Sequence, residues 1–219
     1  MFFFVLVLPE THPLERRSTR SMVATYKNYW ILLHNKGFMK YTLCVSCFYI
    51  AIYAFLTASP YVYIDVFHVP TEHFGYLFEL NIIGVMILSA INRRIVSAIR
   101  LDRLLRYASL FSALCVLIVL VLMFAGFTSL PLIVIGCFLF FSMNGIIAAV
   151  TNALALDRAG KMAGSGAALL GSMQYGSGIV SSLILTFLPN DSAFPMMIVI
   201  GVFVIICAII AYPSDEQYN

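Results

Sequence analysis

Tyr107 to Leu156 reads YASLFSALCVLIVLVLMFAGFTSLPLIVIGCFLFFSMNGIIAAVTNALAL, 50 residues without an Asp, Glu, Lys or Arg. A helix needs about 20 predominantly apolar residues to cross hydrocarbon, so the stretch holds two crossings. Gly126-Phe127-Thr128-Ser129-Leu130-Pro131 divides them, since Gly and Pro together mark a turn. Closed β-barrels also satisfy the backbone in lipid, but they need alternating strands of about ten residues. The run from Ala113 to Met123 is apolar on every side. Both crossings are helices.

Outward from that stretch, residues 41–64, 162–190 and 192–214 are uncharged over 24, 29 and 23 positions. A further span, near 74–92, carries one charge, Glu79. The expected spans are therefore 41–60, 74–92, 107–126, 130–154, 164–188 and 194–212. Composition agrees: of 219 residues, 62% are hydrophobic and 11% charged, and mean hydropathy is +0.96. A soluble domain has about 25% charged and roughly 45–50% apolar residues. A water-soluble globule, a disordered chain and a nucleic-acid binder are all excluded. The fold class is an all-α integral membrane bundle of six transmembrane helices.

The five cysteines (Cys44, Cys47, Cys115, Cys137 and Cys207) all lie in apolar runs and read as small buried hydrophobes. Met1 to Leu8 is apolar but covers only ~12 Å as a helix. It lacks the basic n-region and cleavage site of a signal peptide, and reads as the end of a spanning helix that begins earlier.

Lys and Arg set topology. Segment 9–40 carries Arg16, Arg17, Arg20, Lys27, Lys36 and Lys40. The loop after the second span carries Arg93, Arg94, Arg100, Arg103 and Arg106, and the loop after the fourth Arg158 and Lys161. These are all 13 cations. The opposite loops, 61–73, 127–129 and 189–193, carry Asp65, Glu72 and Asp191 instead. Both termini are thus expected on the cytoplasmic side, with bundle 41–213 followed by a cytoplasmic tail, 214–219. Within 18–36, Met22, Val23, Tyr26, Tyr29, Trp30 and Leu33 recur at helical spacing. Two readings stand: an amphipathic helix on the cytoplasmic membrane surface, or a linker helix packed under the bundle.

Polarity differs between spans. The third has no polar side chain over 113–127, and the sixth none from Ala193 to Ala211; both suit lipid contact. The other four carry polar groups at depth, which belong in a bundle interior or a wet cavity. Tyr49, Tyr53, Glu79, Asn81, Asn144 and Gln174 are the candidate cavity-lining residues. The bland alternative is that such hydroxyls and amides only join helices. Glu79 lies about four residues, ~6 Å, to the outer side of its span's centre, and no Lys or Arg lies in any span to pair with it. It reads either as a proton-binding or cation-contacting group, or as a carboxylate reaching an outer vestibule. In the fifth span small residues repeat every four positions: Gly164 with Ala168, Ala167 with Gly171, Ser172 with Gly176. Gly164, Ala168, Gly171 and Gly176 are therefore expected at a close helix–helix contact, or at a site of local unwinding.

Four stretches resemble the bicyclomycin-resistance (Bcr/CflA) group of major facilitator superfamily drug exporters. Leu8-Pro9-Glu10-Thr11 is similar to the L-P-E-T that ends the family's helix six. Ser59-Pro60-Tyr61-Val62 resembles the S-P-F-V closing helix seven. Phe74-Gly75-Tyr76-Leu77-Phe78-Glu79-Leu80-Asn81 resembles the F-G-x-x-F-x-L-N opening helix eight. Ala163, Gly164, Leu169, Gly171 and Gln174 match the A-G-x-A-S-A-L-x-G-x-x-Q of helix eleven, with Gly166 departing. Glu79 stands where relatives usually carry a small or apolar residue, so no family role transfers to it. The basic loop 93–106 keeps little of the family's glycine pattern.

The resemblance implies half of that fold, helices seven to twelve, with 1–8 the remnant of helix six and 9–40 the central cytoplasmic loop. It implies proton-coupled antiport of small drug-like molecules across the inner membrane, with no cofactor. The proton-coupling carboxylate and arginine of such antiporters usually lie in the N-terminal half, so a partner is implied: that half, or a second copy. A non-transporting membrane-inserted fragment is the alternative.

An intramembrane protease needs a Gly-x-Ser-Gly nucleophile and a later histidine. Here Ala163 and Tyr175 occupy the first-glycine positions, and His12, His34, His68 and His73 all precede the serines. His-Glu-x-x-His is absent from the sequence, and Cys44-x-x-Cys47 is a weak metal or redox signal. An enzyme is not expected.

Overall fold

A computed structural model describes residues 22–188 and 192–212. The apolar segment 1–8, the Leu8-Pro9-Glu10-Thr11 stretch and the tail 214–219 lie outside the described residues. Eight helices follow in order: α1 (Met22–His34), α2 (Lys36–Pro60), α3 (Thr71–Ile95), α4 (Leu101–Phe124), α5 (Leu130–Ser142), α6 (Asn144–Ala159), α7 (Ala163–Thr186) and α8 (Phe194–Ala211). Five helical stretches among the described residues are long and apolar enough to cross a membrane, and the longest, Leu130–Thr186 with 57 residues, holds α5, α6 and α7. At about 20 residues per crossing it has length for two, one by α5 with α6 and one by α7.

Helix α2 is the hub, packing against α8, α7 and α6. Helix α4 packs on α8, α6 and α5, while α3 leans mainly on α5, α6 and the turn after α2, with Phe78 stacked on Phe55 of α2. The core is aliphatic and aromatic, with Phe38, Phe48, Phe55, Phe140 and Ile147 fully buried. Exposed faces differ in kind. Those of α4 and α8 are apolar over Leu110, Leu114, Leu117, Ile118 and Val121, and over Ile198, Val202 and Ile209, a chemistry suited to acyl chains.

Three local features depart from a plain reading of the apolar runs. Helices continue beyond the expected spans at the basic end: α2 starts at Lys36, α3 reaches Ile95, α4 starts at Leu101 and α6 reaches Ala159. An apolar run marks how far a helix lies in hydrocarbon, and polar flanks stay helical beyond it. Asn35 caps α2, its side chain accepting from the Phe38 amide at 3.1 Å. At the other end, Pro60 does not stop α2. Proline lacks the N–H that would close the α ladder, and the chain runs on as a π-helical turn over Tyr61–Val66, with Phe67 N–H donating five residues back to Val62 at 3.1 Å.

The third departure is a break in the fourth span. Ser142 ends α5, Asn144 starts α6, and the amides of Ile146 and Ile147 both donate to the Met143 carbonyl, at 3.0 and 2.9 Å. Two glycines let α3 press onto this break. A Cβ at Gly84 would overlap the Ser142 hydroxyl, and one at Gly145 would lie 2.6 Å from the Val85 carbonyl oxygen. The turn between the third and fourth spans falls where Gly126 and Pro131 predict it. Phe127 N–H donates to Leu122 and Gly126 N–H to Met123, both at 3.0 Å, closing α4 by a Schellman motif, and Pro131 sits in the first turn of α5.

At the basic end, polar bonds tie helices together. Tyr41 donates to Asp102 at 2.6 Å, Asn35 to the Arg158 carbonyl at 3.4 Å, and Asn28 to Ser165 at 3.4 Å. Helix α1 packs against α2 and α7, with Leu32 fully buried and Tyr26, Trp30 and Leu33 exposed.

Candidate functional site

Helices α2, α6 and α7 converge on a polar, aromatic wall. Tyr49 and Tyr53 stand one turn apart on α2, their rings 6.1 Å apart. Across the α2–α7 seam, Tyr49 meets Tyr175 edge-on at 5.9 Å. The Tyr49 hydroxyl is flanked by the side-chain amides of Gln174 and Asn144, both of which interact with it. Gln174 is buried, whereas Tyr175 is 64% exposed. The wall therefore has a fixed inner layer and an accessible outer one.

Each residue is there for a local reason. Asn144 opens α6 directly after the Met143 break, and its Oδ1 is buried with no hydrogen-bond partner among the described residues. A buried unpaired carbonyl costs roughly 1–3 kcal/mol, and polar groups left open at depth mark functional surfaces. Gly178 lets the Tyr53 ring lie flat on α7, since a Cβ there would come within 3.2 Å of the ring. Beside these rings runs a groove of about 530 Å³, lined by Tyr53, Tyr175, Gly178, Ile179, Ser182 and Leu183. No charged side chain lines it. Such a wall stacks aromatic rings and hydrogen-bonds uncharged polar groups. No cluster of three or more His, Cys, Asp or Glu fit for a metal occurs among the described residues.

Four of the six candidate residues, Tyr49, Tyr53, Asn144 and Gln174, thus come together. Asn81 is buried on α3, where its amide donates to the Leu77 carbonyl at 2.9 Å and its Oδ1 has no partner among the described residues. It lies three residues from Gly84, on the face of α3 turned to α5. Glu79 is exposed; two residues from Asn81, it points about 200° away around the helix. The structure sets it on the open flank of α3, beside Tyr76, Ile83 and Met86.

Within this bundle the small-residue series of α7 packs differently from expectation. Nothing lies within 4 Å of a Cβ placed at Gly164, Gly171 or Gly176, and Ala168 is exposed. The tight positions are others: a Cβ at Gly166, on the opposite face, would lie 2.7 Å from that of Ala159, and one at Gly178 would lie 3.2 Å from the Tyr53 ring. Small residues every four positions define a stripe but not which side of it has a neighbour. Tyr175 and Ser182 are the residues the candidate set lacks. Their signal is positional: Tyr175, Gly178, Ile179 and Ser182 follow helical spacing beside Gln174.

A six-span bundle with apolar outer faces on its third and sixth spans and a polar wall between first, fourth and fifth is a transporter-like half. The pattern characteristic of the Major Facilitator Superfamily matches residues 1–182. The chain belongs to the Major Facilitator Superfamily. It is 31% identical over 214 residues to a bicyclomycin resistance protein homolog of Haemophilus influenzae, covering 97% of this chain and 52% of that protein. It is 32% identical over 185 residues to an uncharacterized MFS-type transporter, YdgK, of Bacillus subtilis, covering 84% of this chain and 46% of that protein. The chain spans about half the length of these curated relatives. Its motifs place it with the bicyclomycin-resistance group of the superfamily, and its described bundle is roughly half of a superfamily fold. It is a multi-pass membrane protein.

Proposed function

We propose that this bundle is the C-terminal half, helices seven to twelve, of a proton-coupled multidrug exporter that works by drug:proton antiport across the inner membrane. The carrying observation is the wall of Tyr49, Tyr53, Asn144, Gln174 and Tyr175, half-fixed and half-open, on helices whose neighbours α3 and α7 keep broad faces uncovered. Alternating access in this superfamily rocks two bundles around a site between them. Export therefore needs a second six-helix bundle opposite the open faces of α3 and α7, supplied by an N-terminal half or by a second copy. The stripe Gly164, Ala168, Gly171 and Gly176 supplies close-packing positions for it. Glu79, on the open flank of α3, faces the same cavity, with Asn81 packed behind it toward α5, and the protons are handled largely by the opposing half. All 13 cations on one side of the sequence-defined spans support cytoplasmic termini.

Co-expression decides this. The chain is produced in a drug-sensitive bacterium alone, or with the N-terminal half of the Haemophilus relative, and assembly is checked by affinity capture. The expected result is drug tolerance only when both halves are present and captured together, lost again with Gln174→Ala. Tolerance from the chain alone, or none from a captured pair, overturns the reading.

A further inference from the structure

Cys44 of α2 and Cys207 of α8 meet where those helices pack, their Sγ atoms 3.4 Å apart and both side chains fully buried. The Cys44 thiol also reaches the Cys207 carbonyl oxygen at 3.6 Å, so backbone and packing together hold the sulfurs side by side. Cys44 lies four residues beyond Lys40, and Cys207 four before Ala211. The pair therefore sits about 6 Å, one helical turn, inside the basic end of the bundle. The other thiols are placed differently. Cys47 is one turn deeper on α2 and only half-buried, and the sulfur that Cys137 faces is that of Met197, at 4.0 Å.

A disulfide is about 2.05 Å long. The sulfurs must close by about 1.3 Å, which small χ1 rotations of two unbranched side chains provide. Helices α2 and α8 have no reason to separate to allow this, since each contributes to the same buried core.

We propose that Cys44 and Cys207 are a dithiol that small peroxides close into a disulfide, stapling the first span to the last. One thiol, as thiolate, attacks a peroxide oxygen; the O–O bond breaks, and the leaving hydroxide takes up the thiol's proton as water, leaving a sulfenic acid. The second thiol attacks that sulfur. An S–S bond forms, the S–OH bond breaks, and the departing hydroxide leaves with the second thiol's proton as another water. Two electrons pass from two sulfurs to hydrogen peroxide, which is reduced to two waters. Thiols buried in apolar surroundings ionise little and react slowly with any reagent; bulky ones are also shut out, whereas peroxide is small and uncharged, so it enters and closes the pair slowly. The signature is thus a pair that resists a maleimide in the folded protein yet is lost to peroxide.

The full chain in phospholipid vesicles is exposed to hydrogen peroxide, then unfolded in detergent with an alkylating agent, and its peptides are mapped by mass spectrometry. Two of the five thiols should vanish together, with one linked Cys44–Cys207 peptide that reduction releases. Cys47→Ser should keep the link; Cys44→Ser and Cys207→Ser should each abolish it. Linkage through Cys47, linkage between two copies, or five intact thiols after peroxide has oxidised the methionines overturns the proposal. Should a serine variant fail to insert, the peptide map of the unaltered chain decides alone.

Discussion

The Tyr49 and Tyr175 rings stand edge-to-face across the α2–α7 seam, centroids 5.9 Å apart and planes 89° apart. One partner is half-buried, with the Gln174 and Asn144 side chains beside its hydroxyl; the other is 64% exposed. Such pairs contribute about 0.5–1.5 kcal/mol beyond area burial, so the seam both orders Tyr175 and leaves its outer surface available.

Tyr175→Ala should therefore leave the fold intact, because the ring is mostly exposed, but should weaken drug export by the assembled two-half transporter about two- to tenfold, the equivalent of that pair energy. Tyr49→Phe keeps the ring contact and removes the hydroxyl, and should lower export less. Equal export by all three proteins in a vesicle-uptake assay removes the wall from the transport path.

How far this was legible in the sequence depends on what each signal measures. Charge-free intervals give five of the six expected crossings directly, and the sixth, near 74–92, is read despite Glu79. The wall did not follow in full: Tyr49, Tyr53, Asn144 and Gln174 stand among the sequence candidates, but Tyr175 and Ser182 depend on which face of α7 is left open, and nothing in an apolar run marks that. Pro60 misleads in the other direction: proline removes one donor, and a π turn absorbs the loss. Gly164 and Gly166 are two residues apart on opposite faces of α7, yet only Gly166 has a neighbour. Periodicity finds faces; contacts decide which are covered.

That last distinction is measurable. Gly145→Ala puts a Cβ 2.6 Å from the Val85 carbonyl oxygen and should destabilise the isolated chain by about 1–3 kcal/mol. Gly171→Ala meets nothing within 4 Å and should be neutral, or stabilising by up to about 1 kcal/mol from helix propensity. Denaturation in mixed micelles separates the two, and a Gly171→Ala loss as large as that of Gly145→Ala contradicts the open face of α7.

At the basic end, Tyr41 is buried and donates to Asp102 at 2.6 Å, joining α2 to α4. Hydrogen bonds to charged groups contribute about 1.5–3 kcal/mol. Tyr41→Phe should lower stability by an amount near that range, and Asp102→Asn, which keeps an acceptor, by less. If both variants unfold with the unaltered chain, the bond is not a joint between these helices.

Glu79 tests the open flank of α3. As a carboxylate near one mouth of the bundle it favours cations, so Glu79→Gln in the assembled transporter should reduce export of cationic drugs several-fold relative to neutral ones. An unchanged ratio, with an unchanged pH profile, assigns the side chain to an outer vestibule.

Trp30 is the chain's one tryptophan, and it lies on the exposed face of α1 with Tyr26 and Leu33 while Leu32 and Asn28 hold the helix to the bundle. The two sequence readings of this helix thus describe its two faces: one docks beneath α2 and α7, the other is aromatic and unburied. Tryptophan and tyrosine rings settle at the headgroup level of a bilayer, and Lys27 on the same exposed arc suits anionic lipid. Trp30 emission should consequently be blue-shifted in vesicles and quenched by lipids brominated near the headgroup. Iodide should quench it weakly, and Trp30→Ala should leave the bundle folded because the ring is 66% exposed. Full quenching by iodide with none from brominated lipid would place this face in water and leave the helix only its docking role.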